Sequence, residues 1–267
     1  MNEHNCTESA AAVLLTRPAP HVALVTINRP QFRNAVNRAV AVQLAHHMRA
    51  IEGDADVHVA ILTGAGDLAF CAGVDLKEVA DGSPLGERST GSGGFAGFVF
   101  APREKVWIAA INGAAVAGGL ELMLACDFAI ASDRAVFGLP EVKRGLCATS
   151  GGVFRLPRAI PRGVALEMIA TGDILAAQRA LDLGLVNRLV PPDELLSAAI
   201  EVAKRIARNA PLSVRLSLQL ARVALDEEES TLRQRAQSIS QQIMASEDAK
   251  EGPRAFAEHR EPRWIGR

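Results

Sequence analysis

Apolar positions in the first half of the chain fall into short runs and one long helical stripe. Residues 13–15 and 21–28 are apolar runs around Pro18 and Pro20, which predicts two strands joined at a turn. Within 35–51, Val40, Leu44, Met48 and Ile51 recur at three- and four-residue spacing. That is the period of one helix face, and Gly53 stops it. The runs 57–63 and 106–111 are short and almost wholly apolar, as in strands buried on both faces. Residues 120–125 are apolar except for Glu121 and predict a helix inside the protein. Two more short strands are predicted over 128–131 and 135–137.

From residue 162 the pattern becomes helical. Helices are predicted over 162–170, 176–183, 193–208, 212–224, 228–246 and 250–258, with one strand signal at 186–190. The fold class is therefore α/β of the mixed kind, ending in a helical region. We divide the chain into a flexible polar N-terminus (1–10), a mixed α/β core (11–192) and a helical C-terminal region (193–267). Exposed apolar faces in that last region are expected to pack on its own core or on a second copy. Residues 81–97 are rich in Gly and Ser, and read as a surface loop or as a wall of the ligand pocket.

Composition then removes several function classes. The net charge of −1 argues against a general nucleic-acid binder. No run of about eighteen apolar residues exists, so no membrane span is expected, and the polar start lacks the pattern of a secretory leader. Cys6, Cys71, Cys126 and Cys147 are scattered and form no C-x-x-C pair, as in a reduced, cytoplasmic protein without structural zinc. His46 and His47 point two ways round a helix and are not expected to bind metal. Gly64, Gly66 and Ala69 fit a loose G-x-G-x-x-A, but no long helix opens there, so a dinucleotide site is not expected.

Three segments carry candidate chemistry: Phe70-Cys71-Ala72-Gly73-Val74-Asp75-Leu76, the stretch from Asn112 to Leu122, and Phe137-Gly138-Leu139-Pro140-Glu141-Val142. Gly118-Gly119 precedes a helix, where the first N–H groups lack internal partners and sit at the positive dipole end. Such a place suits a developing oxyanion. Gly73 permits an unusual backbone that frees the N–H of Val74. Glu121 is a carboxylate in an apolar helix, a costly placement that asks for a partner or a task. Cys71 has no histidine near it in sequence and reads as a buried thiol rather than a nucleophile.

Together these segments resemble the crotonase superfamily, the enoyl-CoA hydratase/isomerase family. The likeness continues through Asn28-Arg29-Pro30, Asn34-Ala35, the block from Ile108 to Asp127, Thr171-Gly172, Gly184-Leu185-Val186 and Phe256 to Arg260. It implies a crotonase-like spiral of ββα units, a helical C-terminal region that forms a homotrimer or dimer of trimers, and an acyl-CoA thioester as substrate. No cofactor or metal is implied beyond the coenzyme A of the substrate. By position, the resemblance assigns a backbone oxyanion hole to Val74 and Gly118, and the paired carboxyls of a hydratase to Glu121 and Glu141, twenty residues apart. One would activate water while the other delivers a proton. It further implies coenzyme A contacts along Ala72, Gly73, Asp75, Leu76 and Lys77, with Arg29 and Ala35 beside them.

One stretch departs from the family pattern. Many family hydratases carry Pro-Gly-Ala-Gly-Gly where this chain has Ala148-Thr149-Ser150-Gly151-Gly152. Thr149 is therefore the expected water-positioning residue, its N–H available and its side chain narrowing the site. The expected reaction is reversible hydration of a 2-enoyl-CoA. The alternatives are a double-bond isomerase of the same superfamily, which can work with one carboxylate, and a catalytically idle acyl-CoA-binding paralogue.

Overall fold

The computed structural model describes residues 11–76 and 91–266. The expected flexible start at 1–10, Lys77 and most of the glycine-rich stretch lie outside the described residues.

Strands β1 (Val13–Ala19) and β2 (Val22–Ile27) form an antiparallel hairpin. Pro18 does not end β1 as predicted. It sits in an edge strand, where a missing N–H is tolerated, and the register is irregular between Thr16 and Ala19. The first helix, Arg38–Gly53, opens three residues later than the apolar stripe predicts. Arg33 and Asn34 adopt positive φ (52° and 56°), which a right-handed helix excludes. Asn37 then caps the helix, its side chain accepting from the Val40 N–H at 3.0 Å. Asn34 is fully buried, and its amide donates to the carbonyls of Ala65 (3.0 Å) and Ala69 (2.7 Å).

The chain next climbs between two sheets. Strands β3 (Val59–Gly64), β5 (Val106–Ile111), β7 (Phe128–Ser132) and β10 (Arg188–Val190) extend the first sheet, in the order β1-β2-β3-β5-β7-β10. Strands β4 (Ala69–Cys71), β6 (Ala114–Val116), β8 (Val136–Gly138) and β9 (Leu175–Ala176) form the second, in the order β4-β6-β8-β9. Pairings within β2 to β10 of the first sheet are parallel, as are β4 with β6 and β6 with β8. From β3 to β8 each visit to the first sheet is followed by one to the second, and helix Gly118–Ala125 connects β6 to β7. This alternation is the ββα spiral.

Side-chain alternation along the first sheet explains why it is apolar throughout. Ala60, Leu62, Trp107, Ala109, Ile111 and Ala131 face the main core. Val59, Ile61, Val106, Ile108 and Ile130 face the other way, against Leu195, Ala199, Val202 and Ala203 of helix Leu195–Ala207. Both faces are covered, so the strands read as continuous apolar runs. The remaining helices match the predicted ones to within three residues at each end. Strands β4, β6 and β9 are too short and too rich in alanine to register as runs. Helix Gly152–Ala159, absent from the predicted elements, opens at a Gly-Gly pair and carries Pro157 inside it.

Of the ion pairs that tie the helical region to the spiral, Arg222 with Asp127 is the most enclosed. Arg222 donates to Asp127 through Nε (2.8 Å) and Nη2 (2.9 Å), and to the carbonyls of Arg103 and Lys105. Asp127 also accepts from the Trp107 N–H at 2.8 Å, at the start of β5. Asp127→Ala leaves Arg222 and that N–H without their acceptor. It should lower folding stability by about 2–4 kcal/mol, less than for a fully buried pair because Arg222 keeps 25% of its side chain exposed. Urea unfolding of both proteins measures this directly.

Candidate active site

The centre of the site is the contact between β4 and the start of helix Gly118–Ala125. A Cβ built on Gly119 would stand 1.9 Å from the Cys71 carbonyl oxygen, closer than any side chain permits. Helix and strand therefore touch backbone to backbone. Gly73, just past β4, has φ +88°, and a Cβ there would lie 3.0 Å from the Gly118 nitrogen. The segments that the sequence placed some forty-five residues apart are thus adjacent. Ala117 feeds the helix from a strained backbone (φ 52°, ψ −130°) and donates its N–H to the Gly138 carbonyl at 2.9 Å.

The exit from β4 is clamped by its neighbour. The Val36 N–H donates to the Gly73 carbonyl (2.7 Å), and the Asp75 N–H donates to the Val36 carbonyl (3.0 Å). An extended segment points successive N–H groups to opposite sides. Val74 N–H therefore faces away from Val36. Among the described residues, the N–H groups of Val74 and Gly118 have no acceptor. The ring of Phe95 packs against Gly118, within 2.5 Å of where a Cβ would be.

Glu121 stands one turn into the same helix and is 4% exposed. The Gly152 N–H donates to its Oε1 at 3.0 Å. Burial pushes its carboxyl up to about 7; the nearby Glu141 charge adds to this, while backbone N–H groups of Gly152 and Ser150 and the Arg155 charge oppose it. Glu141 lies in the short helical turn Pro140–Arg144 that follows β8. It is half-buried, and its Oε2 is enclosed without a hydrogen-bond partner among the described residues. Burial raises its carboxyl too, against its own backbone N–H and Arg144. The strand pairing of β6 with β8 and the Ala117–Gly138 bond bring the two glutamate-bearing segments to the same end of the second sheet.

Several sequence-based expectations change. Arg29, expected beside coenzyme A phosphate, is an internal tie: Nη1 donates to the Ala35 carbonyl (2.7 Å) and to Asp75 (3.0 Å), and the guanidinium lies over Phe32. Its side chain is 13% exposed, so it is held away from a solvent-borne phosphate. Asp75 is correspondingly a structural partner. Ala35 and Ala72 sit on the clamp itself, where the Ala72 N–H donates to the Arg33 carbonyl at 3.1 Å. Leu76 is exposed. Thr149 is also exposed, and its N–H donates to the Cys147 carbonyl at 2.9 Å, so it is not free to hold water. The N–H that engages the carboxylate belongs instead to Gly152. Cys71 is fully buried and its thiol is pushed up to about 12, in keeping with the non-nucleophilic reading. Arg155 and Phe95 were missed. Arg155 follows the Gly-Gly pair by one helical turn, which was the available signal. A cavity of about 840 Å³ between His58, Arg215 and Trp264 is lined by neither Glu121 nor Glu141.

Known proteins share this arrangement of the chain. A family model described as enoyl-CoA hydratase/isomerase matches residues 18–267. An enoyl-CoA hydratase of solved structure from Mycobacterium marinum is 44% identical, with a TM-score of 0.91 over 96% of this chain and 100% of that one. A carnitinyl-CoA hydratase of solved structure from Mycobacterium avium is 45% identical, with a TM-score of 0.78 over 97% of this chain and 100% of its own. A carnitinyl-CoA dehydratase from Salmonella arizonae is 41% identical over 94% of this chain and 97% of its own. With the family matched over nearly its whole length, this chain belongs to the enoyl-CoA hydratase/isomerase family.

Proposed function

We propose that this protein is an enoyl-CoA hydratase, a hydro-lyase that adds water reversibly across the Cα=Cβ bond of a 2-enoyl-CoA. The observation that carries the reading is the pairing of Glu121 with Glu141. Both carboxyls are raised, the charge of Glu141 reaches Glu121, and two backbone N–H groups without an acceptor among the described residues, those of Val74 and Gly118, lie close to Glu121 in the chain's fold.

The residues divide the work as follows. The N–H groups of Val74 and Gly118 hold the thioester oxygen. Bonding of the water oxygen to Cβ moves an electron pair through Cα onto that oxygen, and donors already fixed in place stabilise it without reorganisation. One carboxylate of the pair takes a proton from the water, and the other carboxyl delivers its proton to Cα. One shared proton serves the cycle, and the apparent pKa values belong to the pair. The thioester itself is the electron sink, so the chemistry calls for no cofactor. Coenzyme A is taken to lie along 72–77 beside Ala35. Because several relatives are named for carnitinyl-CoA, that thioester belongs among the substrates to be tried alongside short, medium and branched acyl groups.

We further propose a homo-oligomer, a trimer or a dimer of trimers. Helix Glu229–Met244 has no buried residue in the single chain, and Leu225, Met244 and Phe256 are 76%, 70% and 83% exposed, which supports a partner surface. A cytoplasmic location is consistent with Cys71, Cys126 and Cys147 being unpaired among the described residues. Among the described residues no helix is long and apolar enough to cross a membrane.

Loss of the conjugated enoyl-thioester absorbance should follow addition of the enzyme to a 2-enoyl-CoA. Glu121→Gln and Glu141→Gln should each fold normally and lose about 10²–10⁴-fold in rate. A variant with near-parental rate removes that residue from the mechanism. The active form carries one proton on the pair, so kcat/KM should fall as pH rises through about 7, where the second proton leaves. A pH–rate profile flat between pH 6 and 8 speaks against the shared proton. In sedimentation the full-length protein should run as a trimer or larger; a monomer overturns the oligomer proposal.

A further inference from the structure

Arg155 lies outside the residues used so far, yet its helix holds Glu121. The N–H of Gly152, first residue of helix Gly152–Ala159, donates to Glu121. One turn on, the Arg155 N–H donates to the Gly151 carbonyl at 2.8 Å, and the side chain folds back over the same turn. Its Nη1 would lie 2.9 Å from a Cβ on Gly151, which has φ +117°. Its Nη2 donates to the Val99 carbonyl at 2.7 Å, fastening the turn to the segment that carries Phe95 and Phe100. The rings of Phe100 and Phe154, stacked on one another, lie 5.4 and 5.8 Å from the guanidinium carbon. Nη1 is enclosed with no hydrogen-bond partner among the described residues. Among the described residues the cation is therefore held in place by packing and by one carbonyl, with no carboxylate hydrogen-bonded to it.

We propose that Arg155 is a positioning residue: it pins the Gly151–Gly152 turn against the Val99 carbonyl and lends its positive charge to Glu121, favouring the ionised carboxylate. The charged groups around the pair are few. Glu141 faces Glu121 and acts in the opposite sense. Arg103, whose guanidinium donates to the Phe98 and Ala125 carbonyls, and the buried thiol of Cys126 face Arg155. Burial makes an uncompensated carboxylate expensive at Glu121, and a fixed cation offsets part of that cost. The proposal deepens the hydratase reading and rests on it for its consequence in catalysis, but not for its test.

The test is a carbon-13 NMR titration of the unliganded full-length protein labelled at the glutamate carboxyl carbon, with Glu121 assigned by the signal lost in Glu121→Gln. Arg155→Met and Arg155→Gln should each move the Glu121 midpoint upward by about half a pH unit or more. Arg155→Lys keeps the charge but not the fork, and should stay close to the parental midpoint. Either neutral variant suffices if the other fails to fold. A folded neutral variant that titrates like the parent overturns the proposal. So does an Arg155→Lys midpoint displaced as far as that of Arg155→Met, because a positive charge kept at this position would then have no effect on Glu121. If the parent hydrates no enoyl-CoA, the functional reading fails while this titration still decides the role of Arg155.

Discussion

Helix Gly118–Ala125 meets strand β4 with no room for a side chain between them, and the geometry of the site follows from that contact. Gly119 must be glycine because the Cys71 carbonyl occupies the place of its Cβ. The same approach sets the Gly118 N–H beside Gly73, where the chain turns so that the Val74 N–H faces away from the Val36 clamp. It also fixes where the next turn of the helix points, which buries Glu121 against the Gly152 N–H. The two N–H groups proposed as oxyanion donors and the carboxylate are thus set by one backbone contact. Its strain is concentrated at Ala117, held by the Gly138 carbonyl on the neighbouring strand.

Much of this was legible in the sequence where a residue type has few physical uses. A carboxylate inside an apolar run, a Gly-Gly pair opening that helix, and an apolar stripe at helical spacing each admit few structures. The buried parallel strands β3 and β5 were legible for the same reason. Strands β4, β6 and β9 were not, because two or three residues carry no period. Helix Gly152–Ala159 was hidden by Pro157, and the Arg38 helix start by Arg33 and Asn34, whose left-handed backbone no pattern of apolar residues announces. Arg29 and Thr149 show a different limit. A charged side chain or a free N–H can be assigned a ligand in sequence, but its actual partners, Asp75 and the Cys147 carbonyl, come from folding.

Electrostatics then divides the site's labour. Glu121 and Glu141 are both pushed toward the protonated form by burial, and the Glu141 charge makes Glu121 harder still to ionise. In the proposed reaction the pair shares one proton over a range of pH, the state that can both accept from water and donate to carbon. The Gly152 and Ser150 N–H groups and the Arg155 cation work the other way, keeping Glu121 near 7 rather than fully neutral. Helix Gly152–Ala159 is therefore part of the proton balance as well as of the scaffold.

The central claim is that water is split across the double bond. The most direct measurement is to run the reaction in heavy-oxygen water and, separately, in deuterium oxide, and to read the product thioester by mass spectrometry. One heavy oxygen at Cβ and one deuterium at Cα per molecule formed is the result the two-carboxyl account requires. A product with deuterium but no heavy oxygen would mean the double bond had only moved, and the hydratase reading would be contradicted.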